Sequence, residues 1–253
     1  MHTAVTFDFH ETIARCPAWF ELEVRRLPAA FLLWRAERTG RPVAPDRLAE
    51  AETAYRRLRQ EIIEHGRELP AEACVERILT EIGEPVDPVV IATGVASLMR
   101  ATLAEATPVP GAVATVRAVA AAGVPVGVVS SAVYHPFLDW TLAAFGLGAV
   151  CREVVTSAST GFYKSRPEIY WHAAARLGAD PERTVHVGDS YRFDVVGARR
   201  AGMRTVWLRR DPTTAPGDGD PPDITLTSME EGAPLILDLL RQLPAPSAPS
   251  ERG

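Results

Sequence analysis

The stretch TAVTFDFHET, residues Thr3–Thr12, decides the fold of this chain. Its β-prone apolar residues predict a short buried strand over Thr3–Phe9. The acidic residue Asp8 falls at the end of that strand. Apolar residues with helical spacing begin directly afterwards, so we expect the strand to open one domain that a helical insertion then interrupts.

The segment from Ile13 to about Ala106 has apolar residues spaced near the helical period and is predicted to be helical. Its large apolar side chains are most simply explained as the helix faces that pack into the core. We expect four helices, which carry the apolar residues at Trp19 to Trp34, at Ala51 to Ile62, at Val75 to Ile82, and from Pro88 to about Ala106.

Beyond the turn-rich boundary Thr107–Gly111, strands and helices are predicted to alternate. Such alternation favours right-handed crossovers and a parallel sheet. The predicted fold class is therefore α/β: a Rossmann-like parallel sheet flanked by helices, with an inserted all-helical cap domain. The predicted boundaries are an α/β catalytic core at 1–13 and 107–243, a helical cap at 14–106, and a disordered tail at 244–253.

Composition and charge narrow the classes of partner and compartment. The formal net charge of -5, without a long Lys/Arg run, argues against nucleic acid. The longest apolar stretch, Ala118 to Val129, is too short to span a bilayer, so no membrane partner is expected. Three distant cysteines and an N-terminus without a signal-like pattern predict a cytoplasmic protein with reduced thiols. The pattern leaves monomer and homodimer open.

Polar residues follow the predicted strands at their carboxyl ends, where ligands bind in open α/β sheets. Lys164 is the only lysine of the chain. Each of these residues alone is common in turns and helix caps, but together in this order they are hard to explain by chance. The set comprises Asp8, Ser130, Ser131, Lys164, Asp189 and Asp194.

These residue types suit phosphate chemistry. A carboxylate beside a divalent cation can attack phosphorus and form an acyl phosphate. Two aspartates from different loops suit magnesium (Mg2+), which prefers oxygen ligands. A serine hydroxyl and backbone N–H groups can hold phosphate oxygens, and a lysine offsets the crowded negative charge. The pattern therefore predicts a metal-assisted hydrolase that acts on a phosphate ester.

In this order the residues resemble the haloacid dehalogenase superfamily. The similarity covers Thr3 to about Leu208 and includes a helical cap after the first motif. It departs from the family pattern at His10, where the first motif usually has a second Asp, and at Ser165, where Pro is commoner. The matching motifs are DFHET at Asp8–Thr12, Ser130 after an apolar strand, GFYKSRP at Gly161–Pro167, and GDSYRFD at Gly188–Asp194.

The resemblance implies a role for each residue. Asp8 would be the nucleophile and a magnesium ligand, with the backbone carbonyl of His10 and the carboxylate of Asp189 as further ligands. Asp194 would support the metal site or Lys164. The side chains expected to hold the phosphoryl oxygens are Ser130, Ser131 and Lys164.

The family's phosphatases use the Asp that His10 replaces as general acid and base, a contribution worth about 10²–10⁴-fold. Three interpretations stay open. His10 takes over the proton transfers, which its ordinary pKa suits; the leaving group is good enough to need no strong acid; or His10 is structural and activity is low. Glu11 is a weaker candidate donor, because this position in the family usually points toward the cap.

Three other functions compete with a phosphatase of small phosphorylated metabolites. A 2-haloacid dehalogenase would have Asn where Ser131 stands and would need no metal, whereas Asp189 and Asp194 favour a metal enzyme. A phosphonoacetaldehyde hydrolase would need a lysine in the cap, which has none. A catalytically weak protein that binds a phosphorylated ligand is the third. Cap residues that could face the cleft, although core or surface is simpler, are Arg15, Trp19, Trp34 and Tyr55.

Overall fold

A computed structural model describes residues 2–243 of the protein. Six strands form one parallel sheet in which the first strand is central, and two short strands form a separate antiparallel ribbon. The strands are β1 (His2–Phe7), β2 (Ala14–Arg15), β3 (Thr107–Pro108), β4 (Val126–Ser130), β5 (Cys151–Thr156), β6 (Ala179–Gly188), β7 (Arg204–Leu208) and β8 (Ile224–Leu226). The sheet order is β5-β4-β1-β6-β7-β8.

Helices occupy most of the chain between these strands. Two π-helical turns, Leu22–Arg26 and Tyr191–Gly197, and two 3₁₀ turns, Thr102–Glu105 and Met229–Glu231, adjoin them. The α-helices are α1 (Pro17–Glu21), α2 (Leu27–Thr39), α3 (Pro45–His65), α4 (Ala71–Glu81), α5 (Pro88–Ala101), α6 (Ala112–Ala121), α7 (His135–Ala144), α8 (Ser157–Thr160), α9 (Glu168–Arg176), α10 (Ala198–Arg200) and α11 (Gly232–Arg241).

The central strands are buried on both faces, as parallel strands covered by helices must be. Strand β4 is buried along its whole length, and β1 is buried from Ala4 onward. Their apolar side chains join one large core cluster with the helices. The predicted fold class, a Rossmann-like parallel sheet flanked by helices, is confirmed.

The structure adds elements that the sequence analysis did not predict. Strands β2 and β3 pair where the chain enters and leaves the helical segment. Each has only two residues, which is too few to show a periodic pattern in the sequence. Helix α8 has four residues and ends at Gly161 in the left-handed conformation. The π-helical turn Tyr191–Gly197 begins directly after Ser190.

Helices α1–α5, here called the helical insert, lie between β2 and β3 and pack on one another. Helix α5 approaches α2 closely because it carries glycine at position 94. A Cβ atom there would overlap the ring of Phe31 and lie 2.9 Å from Trp34. The phenyl ring of Phe31 is fully buried, so it has little room to move.

One helical stretch within residues 2–243, Pro88–Glu105, is long and apolar enough to cross a membrane by length and composition. It was not the stretch singled out above, Ala118 to Val129. Core helices of globular proteins pass the same test, and the buried residues Ile91, Val95 and Met99 pack it against the insert. This stretch alone is therefore weak evidence for a membrane partner.

The domain boundaries proposed above stay a prediction. The helical insert does follow the first strand, and the strand–helix alternation resumes after β3. The tail predicted to be disordered, residues 244–253, lies outside the described residues.

Replacing Gly94 by alanine should destabilise the protein. Forcing a methyl group against Phe31 costs about 1–3 kcal/mol of folding free energy, which outweighs a helix-propensity gain of about 1 kcal/mol or less. The melting temperature should fall by a few degrees, measured by circular dichroism or calorimetry. Thr93→Ala, at the exposed neighbouring position, is the control and should melt with the parent. A Gly94→Ala protein as stable as the parent would contradict this packing.

Candidate active site

Three neighbouring strands in the middle of the sheet deliver the predicted residues to one edge. Asp8 follows β1, Ser130 ends β4, and Asp189 follows β6. Because β1 pairs with both β4 and β6 in parallel, their carboxyl ends lie side by side. One cavity is lined by all of the predicted site residues, which are Asp8, His10, Ser130, Ser131, Lys164, Asp189 and Asp194.

Lys164 joins two of the aspartates. Its ammonium group donates hydrogen bonds to Oδ1 of Asp8 and, at 2.6 Å, to Oδ1 of Asp194. The lysine is 3% exposed, so its charge needs these partners. Burial alone would lower the pKa of Lys164, but the carboxylates of Asp194 and Asp8 outweigh it and raise this pKa above its ordinary value. The lysine therefore stays charged.

Asp194 is held from three directions. Its Oδ1 also lies 3.0 Å from Nε2 of His186, and its Oδ2 accepts a hydrogen bond of 2.9 Å from the backbone N–H of Ser190. Burial alone would raise the pKa of Asp194. The charge of Lys164 and the hydrogen bond from His186 outweigh burial, so the pKa lies well below its usual range. A Cβ at position 188 would overlap this carboxylate, so glycine is required there. These bonds make Asp194 a support for Lys164.

Three carboxylates crowd together at this edge. One oxygen from each of Asp8, Asp189 and Asp194 lies within 4.8 Å of the others. Burial, opposed by Lys164 and reinforced by Asp194, raises the pKa of Asp8 to about 6. Burial and the charges of Asp8 and Asp194 raise the pKa of Asp189 to about 8. Oxygen donors with excess negative charge fit a hard divalent cation such as magnesium.

The two serines after β4 differ in their contacts. Ser130 is buried at the strand end. Ser131 accepts a hydrogen bond of 3.1 Å from the backbone N–H of Lys164 through its Oγ. Both line the cavity beside Asp8. Ser131 thus positions the lysine loop, while a direct contact of either hydroxyl with phosphate stays a prediction.

The side chain of His10 turns toward the helical insert. Its ring stacks on Phe20, with ring centroids 4.4 Å apart, and its Nδ1 lies 3.3 Å from Sγ of Cys16. Burial lowers the pKa of His10, against the opposing charge of Glu11. The imidazole is therefore mostly neutral at pH 7, and Nε2 is the ring nitrogen left for proton transfer.

Glu11 is directed away from the reaction centre. It has a left-handed backbone with φ of 61°, and its carboxylate pairs with Arg210, which follows β7, and with Arg15 at 3.7 Å. Because its carboxylate is paired with these two arginines, the structure gives no support to Glu11 as the proton donor.

The cavity has a volume of about 350 Å³, at the small end of the range for ligand sites. Of the four insert residues named as candidates, only Trp19 is among its lining residues. For the other three, core or surface was the simpler expectation, and their contacts agree with it. Tyr55 is buried and donates a hydrogen bond to the backbone of Glu23, Trp34 packs under Arg38, and Arg15 pairs with Glu11. The insert residues on the lining are Trp19, Phe20, Glu23, Val24, Arg59 and Ile63.

Several further functional candidates emerge only in the structure. His186 is fully buried in β6 and links Asp194 to Oγ1 of Thr6, which lies 2.9 Å from its Nδ1. A polar histidine inside the apolar run of β6 was an available signal. Glu23 and Arg59 lie in the helical insert among surface-like charges, and nothing in the local pattern marks them as buried.

Comparisons with known proteins show which family the chain is similar to. The sequence model of the haloacid dehalogenase-like hydrolase family matches residues 2–202. The chain is 32% identical over 196 residues to a glyceraldehyde 3-phosphate phosphatase of Methanopyrus kandleri, an alignment that covers 76% of this chain and 81% of the relative.

Two solved structures show the same fold. A 2-haloacid dehalogenase from Pseudomonas syringae superposes with a TM-score of 0.71 at 22% identity, over 94% of this chain and all of the other. A phosphatase of the same family from Thermococcus onnurineus superposes with a TM-score of 0.62 at 20% identity, over 92% and 97% of the two chains. Because the fold is shared by dehalogenases and phosphatases, it does not separate these activities. With the family model matching most of its length, this chain belongs to the haloacid dehalogenase-like hydrolases.

Proposed function

We propose that the protein is a magnesium-dependent phosphatase of a small phosphorylated metabolite, with an aspartyl-phosphate intermediate on Asp8. The observation that carries the proposal is the buried group in which Lys164 holds Asp8 and Asp194 while Asp189 crowds the same edge. The name of the relative from Methanopyrus kandleri, a phosphatase of a three-carbon phosphate, supports this class of substrate.

Asp8 and Asp189, with the backbone carbonyl of His10, are the groups that would hold magnesium. Asp194 is less available, because Lys164, His186 and the backbone of Ser190 already occupy its oxygens. When bound, the cation would offset the negative charge of the carboxylates and the phosphoryl group. Burial is the main cause of the raised pKa values of Asp8 and Asp189, and the neighbouring carboxylates add to it.

The chain's own groups account for the first bond exchange. Lys164 holds Oδ1 of Asp8, which leaves Oδ2 to attack phosphorus. A new Asp8–phosphorus bond forms as the phosphorus–oxygen bond to the leaving alcohol breaks. The hydroxyls of Ser130 and Ser131 and the ammonium of Lys164 bind the phosphoryl oxygens. Lys164 is already oriented by Asp194, so little rearrangement is needed as charge develops.

His10 would move the protons. In the first step the imidazolium form, which is the minor form at pH 7 because burial lowers the pKa of His10, gives its Nε2 proton to the departing alkoxide. In the second step the neutral imidazole takes a proton from water as the water oxygen attacks phosphorus, and phosphate leaves with Asp8 restored. Stacking on Phe20 and the contact with Cys16 hold the ring in place.

A 2-haloacid dehalogenase is the alternative, because one such enzyme shares the fold. The three clustered carboxylates favour a site that binds a cation. Halide release from a 2-haloacid in the absence of magnesium would support the alternative instead.

We also propose that the protein works in the cytoplasm, on a small molecule, as a monomer or homodimer, and without nucleic acid or membrane partners. Its three cysteines are free and buried, as expected for reduced thiols. Burial raises the pKa of each, to about 12 for Cys74 and Cys151, which keeps the unreactive thiol form.

Asp8→Asn should abolish catalysis, because the amide cannot serve as the nucleophile. Release of p-nitrophenol from p-nitrophenyl phosphate in the presence of magnesium should fall by about 10⁴-fold or more. Asp218→Asn, at an exposed position, is the control and should leave the rate unchanged. Undiminished turnover by Asp8→Asn would refute the proposed nucleophile.

Asp189→Asn should separate metal binding from catalysis. Magnesium at about 100 times its dissociation constant should stabilise the parent by about 2.7 kcal/mol, seen as a rise in melting temperature. The variant should lose that rise. In EDTA at a pH above the pKa of about 8 of Asp189, it should also melt higher than the parent, because a neutral amide replaces one of three mutually repelling carboxylates. Asp218→Asn is the control and should keep the magnesium-induced rise of the parent. An equally large rise in Asp189→Asn would count against this site.

His10→Ala should lower kcat for an alkyl phosphate by about 10²–10⁴-fold. The loss should be smaller for p-nitrophenyl phosphate, whose leaving group needs no proton. His10→Asp should recover much of the alkyl phosphatase rate. Equal losses for both substrates, without recovery in His10→Asp, would show that the histidine is only structural.

A further inference from the structure

The wall of the cavity opposite Asp8 is built by the helical insert and carries polar atoms that the protein leaves unpaired. Within residues 2–243, no hydrogen-bond partner is present for Oε2 of Glu23, Nε of Arg59 or Nε1 of Trp19. All three residues line the cavity and are at most 4% exposed. Buried polar atoms without partners are rare in folded proteins and call for a water or a ligand.

Glu23 is fixed in place by the chain around it. The backbone of Val133 donates a hydrogen bond to its carboxyl group, and Tyr55 donates one of 2.5 Å to its backbone carbonyl. Burial raises the pKa of Glu23 to about 8, against the lowering effect of Arg59. Near neutral pH the carboxyl group thus largely keeps its proton and can both donate and accept hydrogen bonds.

Arg59 is also immobilised, and its charge is already balanced. Its Nη1 and Nη2 donate to the two oxygens of Glu68 at 2.6 and 3.1 Å. Glu68 in turn accepts hydrogen bonds from Ser157 at 2.9 Å and from the backbone of Leu69 at 3.0 Å. Its Nε has no partner among the described residues, so the guanidinium offers a ligand an N–H donor rather than a free cation.

The remaining surface of this wall is aromatic or apolar. Trp19 stacks on Phe137 with ring centroids 4.8 Å apart, and Phe20 and Phe193 also line the cavity. Such a surface excludes water, so a few aligned polar groups dominate the choice of ligand.

From these contacts we propose that Glu23, Arg59 and Trp19 form a specificity subsite for the organic part of the substrate, and that this part is a short, uncharged, polyhydroxylated chain. The inference rests on the proposed phosphatase function and adds the chemistry of the leaving group. One carboxyl group that donates and accepts, beside two N–H donors, matches vicinal hydroxyl or carbonyl oxygens.

The same groups select against two other classes of phosphate ester. A substrate carboxylate would find no free cation, because the basic side chains on the lining, Lys164 and Arg59, are both paired with carboxylates of the protein. A purely alkyl chain would leave Glu23 and the N–H donors unpaired, which is the condition under which binding sites discriminate most strongly.

A three-carbon series tests the subsite with the magnesium-loaded full chain. The substrates are glycerol 3-phosphate, propyl phosphate and 3-phosphoglycerate, compared by kcat/KM. The parent should prefer glycerol 3-phosphate to each of the others by about tenfold or more. Glu23→Met should remove the preference over propyl phosphate, because it lowers kcat/KM for glycerol 3-phosphate and removes the carboxyl group that propyl phosphate leaves unpaired. Glu21→Met, two residues away and partly exposed, is the matched control and should keep the preference.

A binding measurement makes the inference independent of turnover. In the Asp8→Asn protein, glycerol 3-phosphate should raise the melting temperature more than propyl phosphate does, and adding Glu23→Met should erase that difference. Equal kcat/KM for glycerol and propyl phosphates, a preference for 3-phosphoglycerate, or an unchanged preference in Glu23→Met would overturn the subsite. Failure to hydrolyse any ester would instead contradict the proposed function, and the binding comparison would still decide the subsite.

Discussion

A single buried ammonium group organises the reaction centre. Lys164 lies between the carboxylates of Asp8 and Asp194, and a lysine with 3% exposure is stable there only as part of this group. The constraint is demanding, because the three residues come from the loops after β1, before α9 and after β6. It is satisfied because β1 pairs with β6, which brings Asp8 and the start of the Tyr191–Gly197 turn to one edge. The order of the sheet is therefore also the geometry of the site.

Around this centre, further contacts fix the orientation of each group. Thr6 and His186 face each other across β1 and β6 and hold Asp194 from below. Gly188 admits the Asp194 carboxylate to a position that any side chain would block. Ser131 holds the backbone of Lys164. A reaction that develops charge gains most from groups that are already aligned, because they need not reorganise as charge moves. This supporting layer fixes the positions of Lys164 and Asp194.

The helical insert completes the cavity and is attached to the sheet domain at several points. Strands β2 and β3 pair where the chain leaves and re-enters the core. Glu68 of the insert accepts a hydrogen bond from Ser157, which follows β5. Through these contacts the insert presents Trp19, Glu23 and Arg59 toward the aspartates. In the proposed function, the sheet edge supplies the chemistry and the insert selects the leaving group, so the two tasks can be altered by separate substitutions.

The sequence alone predicted the fold class, which the structure confirms, and named the residues that line the candidate active site, since both depend on local signals. Apolar periodicity marks the strands and helices, and a polar residue directly after a buried strand must lie at the sheet edge. The side-chain partners were decided only by the tertiary structure. Asp8 and Lys164 are 156 positions apart, and neither the pairing of His186 with Asp194 nor the direction of Glu11 toward Arg210 leaves a local pattern. Likewise, Glu23 and Arg59 have the composition of a solvated helix face. Only packing of the insert against the core removes them from water, because burial is a property of the surfaces that meet and not of the residues that carry the charge.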